Sequence, residues 1–342
     1  MSSSTSSSEA AGAAARAGWT GFTATLLGAA ALFTAAFLAA AFLIDPYDTG
    51  RSPLGLKEGV RPQGPRTALA SRGRDPHFSG AIVGNSHIQL VSPERLREKT
   101  GIPFVSLIAP ATMPKESLAT IGWFLRHHRR PPPAAIVVGV DNYWCTADPA
   151  LPNEKPFPFW LLSASLLDYL GGLMRYDLIE ELPRRIAYLT SGKAERARPD
   201  GYWDYEAGYE VQGYHQRPEI RARLERPLEA GGGNAAGPFP AATRLEALMA
   251  SAPETALILV RPPVYISALS KPGTPDAAAD AACRKAYADI AARRPHTALV
   301  DWRTDRPALH EPNLFFDHSH YRQPIARLLE ADIADALNRL RK

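Results

Sequence analysis

The decamer AIVGNSHIQL, residues 81–90, runs three apolar residues into Gly84-Asn85-Ser86-His87 and then turns apolar again. A glycine, an amide, a hydroxyl and an imidazole gain little from a protein core. A buried strand ending in them is either a plain strand-to-helix turn or a strand that presents Ser86 as a nucleophile at its carboxyl end. The segments around it bear on the choice. SPERL, from Ser92, reads as a helix start, with Ser92 as N-cap, Pro93 at the first helical position and Gly101 as the stop. Short apolar runs then recur at 103–110, 134–141, 255–262 and 297–302. Between them lie segments of helical period, among them 276–293 and a final stripe of Ile325, Leu328, Leu329, Ile333, Leu337 and Leu340. Strand and helix in alternation predict an α/β domain whose parallel sheet is covered on both faces. In such sheets functional groups gather in the crevice beyond the carboxyl ends of the strands, where Ser86 falls.

The interval 143–250 breaks the alternation. Its first part has two apolar-faced helical segments, and its second, DGYWDYEAGYEVQGYHQ, is aromatic and irregular. A connection of about 100 residues within a domain is a subdomain or a functional element. It reads as a mostly helical cap over the crevice, or as a layer that only buries a sheet face.

The 342 residues are 45% apolar and 22% charged, with a formal net charge of +4, which is globular composition and not that of a disordered chain. No basic stripe interleaved with aromatics is present, which argues against nucleic acid as a partner. Residues 1–18, rich in Ser and Ala, are expected to hold no structure. Residues 19–44 carry neither charge nor proline and are long enough to cross a bilayer, so they read as an uncleaved transmembrane anchor. The Lys/Arg balance puts the amino terminus inside and the remainder on the periplasmic or extracellular side. Residues 45–78, rich in Pro, Gly and Arg and without period, read as a linker, and 79–342 as the domain. The two cysteines, Cys145 and Cys283, either pair in an oxidising compartment or are small buried residues.

A serine hydroxyl is a poor nucleophile without a base, and the base needs an orienting partner. NLFFDHSHYR, residues 313–322, supplies both directly before the last helix: Asp317 and His320, three apart, so that a carboxylate reaches one imidazole nitrogen and leaves the other outward. His318 lies between them and is expected to point away. Asp317, His318 and His320 have no fourth group at a ligand spacing, so neither a metal nor any other cofactor is called for.

The paired motifs VGNSH and DHSH resemble the SGNH (GDSL-like) hydrolase superfamily, and within it the membrane-anchored bacterial members of envelope polysaccharide acylation and deacylation. The resemblance covers roughly 79–142 and 255–342. It implies a three-layer α/β/α sandwich with a flavodoxin-like sheet. It also implies a triad of Ser86 as nucleophile, His320 as general base and Asp317 as orienter, acting on acyl esters of a cell-envelope glycan as esterase or O-acyltransferase. The implied setting is an inner-membrane, single-pass protein with its domain in the periplasm. The chain departs from the family at three points. Asn85 stands where Asp usually precedes the serine. SLIAPATMPKES lacks the glycine whose N–H holds the oxyanion, leaving Ala109, Ala111 or Thr112 to donate beside Ser86. GVDNYW inverts the usual Asn-Asp, with Asn142 expected as side-chain donor because Asp141 would repel an oxyanion. His87 is expected either to contact substrate or oxyanion, or to bond a backbone carbonyl. Arg261, ending a strand, either holds an anionic sugar or carboxylate or pairs with an acid such as Asp141. These departures, with the aromatic segment 202–214, leave open a catalytically inactive glycan-binding or assembly protein on the same fold.

Overall fold

The computed structural model describes residues 6–58, 64–191, 198–214, 217–228 and 233–341. Five strands make one wholly parallel sheet: β1 (Gly80–Gly84), β2 (Phe104–Ile108), β3 (Ala135–Gly139), β4 (Ala256–Arg261) and β5 (Thr297–Asp301), in the order β2-β1-β3-β4-β5. β1 to β4 are buried along their whole length, as continuous apolar strands must be when helices cover both faces. The chain goes from β1 outward to β2, then crosses to the other side of β1 to form β3. This is the flavodoxin-like strand order, and its reversal opens a crevice beyond the carboxyl ends of β1 and β3.

The helices are α1 (Ser6–Ile44), α2 (Pro65–Arg74), α3 (Pro93–Thr100), α4 (Pro114–His127), α5 (Phe159–Leu162), α6 (Leu166–Leu173), α7 (Asp177–Ser191), α8 (Glu206–Val211), α9 (Pro218–Leu224), α10 (Pro240–Met249), α11 (Pro275–Arg293) and α12 (Gln323–Leu340). One face of the sheet packs against α3 and α12, through Leu96, Ile325, Leu329, Ile333 and Leu337. The other packs against α4, α10 and α11, through Ile121, Phe124, Leu245 and Tyr287. The result is the expected three-layer α/β/α sandwich. Leu328 leaves the α12 stripe and stands half exposed. α3 is built as its sequence announces: the Ser92 hydroxyl accepts from the Arg95 N–H, and Gly101, at φ +74°, ends the helix in the left-handed region.

Two expected segments change. α1 begins at Ser6, inside the tail expected to hold no structure, because alanines 10, 11 and 13–15 favour helix. Within α1, Gly18–Ile44 is long and apolar enough to span a membrane. The stretch 45–78 is no loose linker. Asp45 and Asp48 are buried, and the Asp45 carboxylate accepts from the Thr49 N–H, the Gly50 N–H and the Tyr169 hydroxyl. Asp48 accepts from the Ser71 hydroxyl and pairs with Arg74 and Arg185. α2 follows, started by Pro65, with Ala68, Leu69 and Ala70 inside. The hydrophobic period was masked there by the arginines of Pro65–Arg74, whose apolar residues are only three, Ala68, Leu69 and Ala70.

The insertion divides in two. α5, α6 and α7 pack against the end of α1, with Ala41, Tyr47, Tyr169, Leu173 and Leu178 in one apolar cluster, so this half is no cap over the crevice. The aromatic half, 202–214, does reach the crevice.

Cys145, just after β3, is bonded to Cys283 in α11, 138 residues away. Closing so long a loop restricts the unfolded chain. Replacing both cysteines by alanine is expected to lower stability by about 2–4 kcal/mol, read as a fall in thermal midpoint that reductant reproduces in the parent chain only. Equal midpoints with and without reductant would remove the disulfide from the account.

Candidate active site

Gly84 is required by a close approach. Ile88, fully buried, folds back under the turn, and a Cβ on Gly84 or on Gly139 of β3 would lie about 3 Å from its side chain. The backbone then turns at Asn85, whose side chain accepts from the His87 N–H, and runs through one 3-10 turn from Ser86 to Ile88. Ser86 therefore sits half-buried at the carboxyl end of β1, at the switch point.

The Asp317–His320 pair is assembled locally. Asp317 Oδ1 accepts from the N–H groups of Ser319 and His320, at 2.8 and 2.9 Å, while Oδ2 meets His320 Nδ1 at 2.7 Å. The carboxylate thus shapes the turn that presents the imidazole, which explains the three-residue spacing. His320 Nε2 lies 2.8 Å from Ser86 Oγ. The structure brings together the three side chains expected from the sequence, in one hydrogen-bonded chain across a separation of 234 residues. His318 turns away to the Arg226 carbonyl.

Burial alone would raise the pKa of Asp317. The hydrogen bond and charge of His320, with the N–H groups of Ser319 and His320, outweigh it and hold the carboxyl well below the usual carboxylate range. The orienting group is therefore an anion at any pH where the protein works, able to stabilise an imidazolium as it forms.

Around this chain the structure revises several expectations. Among the described residues the His87 ring bonds a carboxylate and no backbone carbonyl: Nδ1 meets Asp141 Oδ2 at 2.8 Å, and the ring stacks on Tyr143 and stands edge-on to His320. Asp141 also accepts from Asn85 Nδ2 at 2.6 Å and from the Tyr143 N–H at 3.0 Å. Amide and carboxylate have exchanged places relative to the pattern of the resembled family, and they meet as a pair. A carboxylate at 85 could not donate to Asp141 and to the Thr112 carbonyl, as Asn85 does. Asn142 is exposed on the wall of a neighbouring cavity and shares no hydrogen bond with the triad among the described residues. Ala109 is excluded as an oxyanion donor, because its N–H is bonded to the Gly84 carbonyl. Ala111, at φ +55°, and Thr112 have N–H groups without a hydrogen bond among the described residues, and Asn85 ties their turn to the residue before the nucleophile.

Arg261 is 1% exposed and pairs with Asp280 and Asp301, not with Asp141, so it is unavailable to a ligand. The arginine on the wall of the cavity is instead Arg303, which the sequence reading passed over; its Nε donates to Asp280. The cavity, about 930 Å³, opens beside the site between Met113, Tyr143 and Arg303. Tyr205 was also missed: its ring stands edge-on to His320, 5.7 Å between centroids, and its hydroxyl donates to the Tyr321 carbonyl. The density of tyrosines at 202–214 was its only signal.

No protein-family model matches the chain, and no curated protein matches it. What the site can do follows from its geometry alone.

Because Asp317 titrates lower folded than unfolded, where a carboxyl titrates near ~4, it contributes stability that is present above that pH and lost as pH falls toward its folded value. The thermal midpoints of the parent chain and Asp317→Asn are expected to differ most at neutral pH and to converge below about pH 4. A gap that stays constant down to pH 2 would mean that the carboxylate is not held as described.

Proposed function

We propose that this protein is a membrane-tethered serine esterase or O-acyltransferase of SGNH type, acting on acyl esters of a cell-envelope glycan. The single observation that carries the reading is the Ser86–His320–Asp317 chain, with links of 2.8 and 2.7 Å at the carboxyl end of a central parallel strand. Ser86 Oγ attacks the acyl carbonyl while His320 Nε2 takes its proton, and Asp317 stabilises the imidazolium. The Ser86 N–H and the N–H groups of Ala111 and Thr112 are the donors for the oxyanion. His320 returns the proton to the leaving alcohol. The acyl-serine then passes its group to water or to a sugar hydroxyl that His320 deprotonates in turn.

The anchor supports work beside a growing envelope polymer, and the Cys145–Cys283 disulfide supports a periplasmic domain, since such bonds persist in oxidising compartments. Tyr143 on the cavity wall and Trp203, more than half exposed, offer faces for sugar rings. One observation favours a second reading, a glycan-binding or assembly protein without turnover. Asp141 occupies the place where the resembled family carries its amide donor, and one missing donor typically costs ~10²–10³ in turnover.

The full chain in detergent is expected to release acetate from acetylated glycan or a small acetyl ester. Ser86→Ala and His320→Ala should fall to background, and Asp317→Asn by roughly 10³–10⁴. A fluorophosphonate should label Ser86 in the parent chain only. Equal rates in parent and Ser86→Ala, with no label but glycan binding retained, would replace the enzyme with the binding protein.

A further inference from the structure

The structure points to a second membrane contact: we propose that the outward faces of α6 and α7 rest in the headgroup region of the bilayer that α1 crosses. The position of these helices along α1 carries the inference. Residues 18–36 are exposed without interruption, and at 1.5 Å per residue they measure about 28 Å, close to the ~30 Å of a hydrocarbon core. From Phe37 onward one side of α1 is covered by protein, with Ala39 and Leu43 still exposed on the other, and what covers it is the cluster built on α5, α6 and α7, where Phe37, Leu38, Ala41 and Phe42 meet Trp160, Leu170, Leu173, Leu178 and Leu182. The stretch of α1 exposed on all sides therefore ends where α6 and α7 begin, which sets them at the level of the glycerol and headgroups.

Their chemistry suits that level. Leu166, Leu167, Met174, Tyr176, Ile179 and Ile186 are all more than 40% exposed, within 21 consecutive residues. Outside α1, no other segment among the described residues gathers more than two exposed large apolar side chains so closely. α7 is two-faced: Leu178 and Arg185 are buried one way, while Ile179 and Ile186, seven apart, face the other. Tyr176 is of the type that settles at membrane interfaces, and exposed Arg175 beside it offers a cation to lipid phosphate. Glu180 and Glu181 are held by Arg184, which limits their repulsion of anionic lipid. An apolar face of this kind on the sandwich itself would be a liability in water. Continuous with a membrane-spanning helix, it is a resting surface. None of this depends on Ser86 being a nucleophile.

The test uses the full chain in vesicles of phosphatidylethanolamine and phosphatidylglycerol doped with a phosphatidylcholine that carries a diazirine near the glycerol backbone. After illumination, lipid adducts are mapped by mass spectrometry. Adducts are expected on peptides within 166–186 as well as on α1. In a Leu167→Gln, Ile179→Gln variant with unchanged circular dichroism, the 166–186 adducts should fall several-fold while those on α1 persist. Adducts confined to α1 would overturn the proposal. So would adducts on 166–186 that the variant leaves unchanged.

Discussion

One buried carboxylate organises the site. Asp141 is 5% exposed, and an ion removed from water at such a position costs several kcal/mol unless donors replace its hydration. Three do: the amide of Asn85, the imidazole of His87 and the N–H of Tyr143. Two of these flank Ser86 in sequence and belong to the turn after β1, while Asp141 belongs to the turn after β3. The need of one anion for donors therefore locks the two lips of the crevice together, with the serine hydroxyl between its anchored neighbours. Ile88, wedged beneath Gly84 and Gly139, does the same from the apolar side.

The second constraint is distance across the sheet. His320 comes after β5, and three strand spacings of ~4.8 Å separate β5 from β1, so the chain must travel back about 14 Å over the strand ends. Residues 302–319 make that return, with Trp302, Leu309 and Phe315 buried along the way and the Trp302 N–H bonded to the Arg261 carbonyl. At its end a bridge between Phe315 and Tyr321 closes the turn that Asp317 shapes. Asp317 and His320 thus arrive as a preformed pair and meet a serine fixed independently. Such preorganisation is what lets a serine hydroxyl gain reactivity without reorganising its surroundings.

This division explains what the sequence disclosed. The five strands were legible because each is a short apolar run ended by turn residues. Asp317 and His320 were legible because their geometry is local. Ser86 was legible as a candidate because it ends a buried apolar strand where a parallel sheet gathers its functional groups. The distant partners of Asp141, Arg261 and Asp45 were not, since only the completed sheet or the docked insertion brings Asn85, His87, Asp280, Asp301 and Tyr169 near them. Arg261 shows why a strand-end arginine is ambiguous: whether it faces substrate or two internal carboxylates depends on where α11 places Asp280. In the same way, period alone could not tell a helix packed on the crevice from one packed on the anchor.

The insertion turns one interruption of an α/β alternation into two different connections. Its first half is joined to α1 by the buried Asp45 and Asp48, whose carboxylates reach Tyr169 in α6 and Arg185 in α7. Its second half is joined to the turn that carries His320: Glu206 in α8 accepts from Arg322 and from the Gln323 N–H, and Tyr205 stands against His320. Asp48 is bonded in turn to Ser71 and Arg74 of α2, which packs under the edge strand β2. The anchor is therefore joined to the sandwich by buried polar bonds and not by a free linker. With α1 fixed in this way, the orientation of the sandwich relative to it is a property of the fold. The residues that end α1 therefore also fix how the crevice is turned relative to that helix.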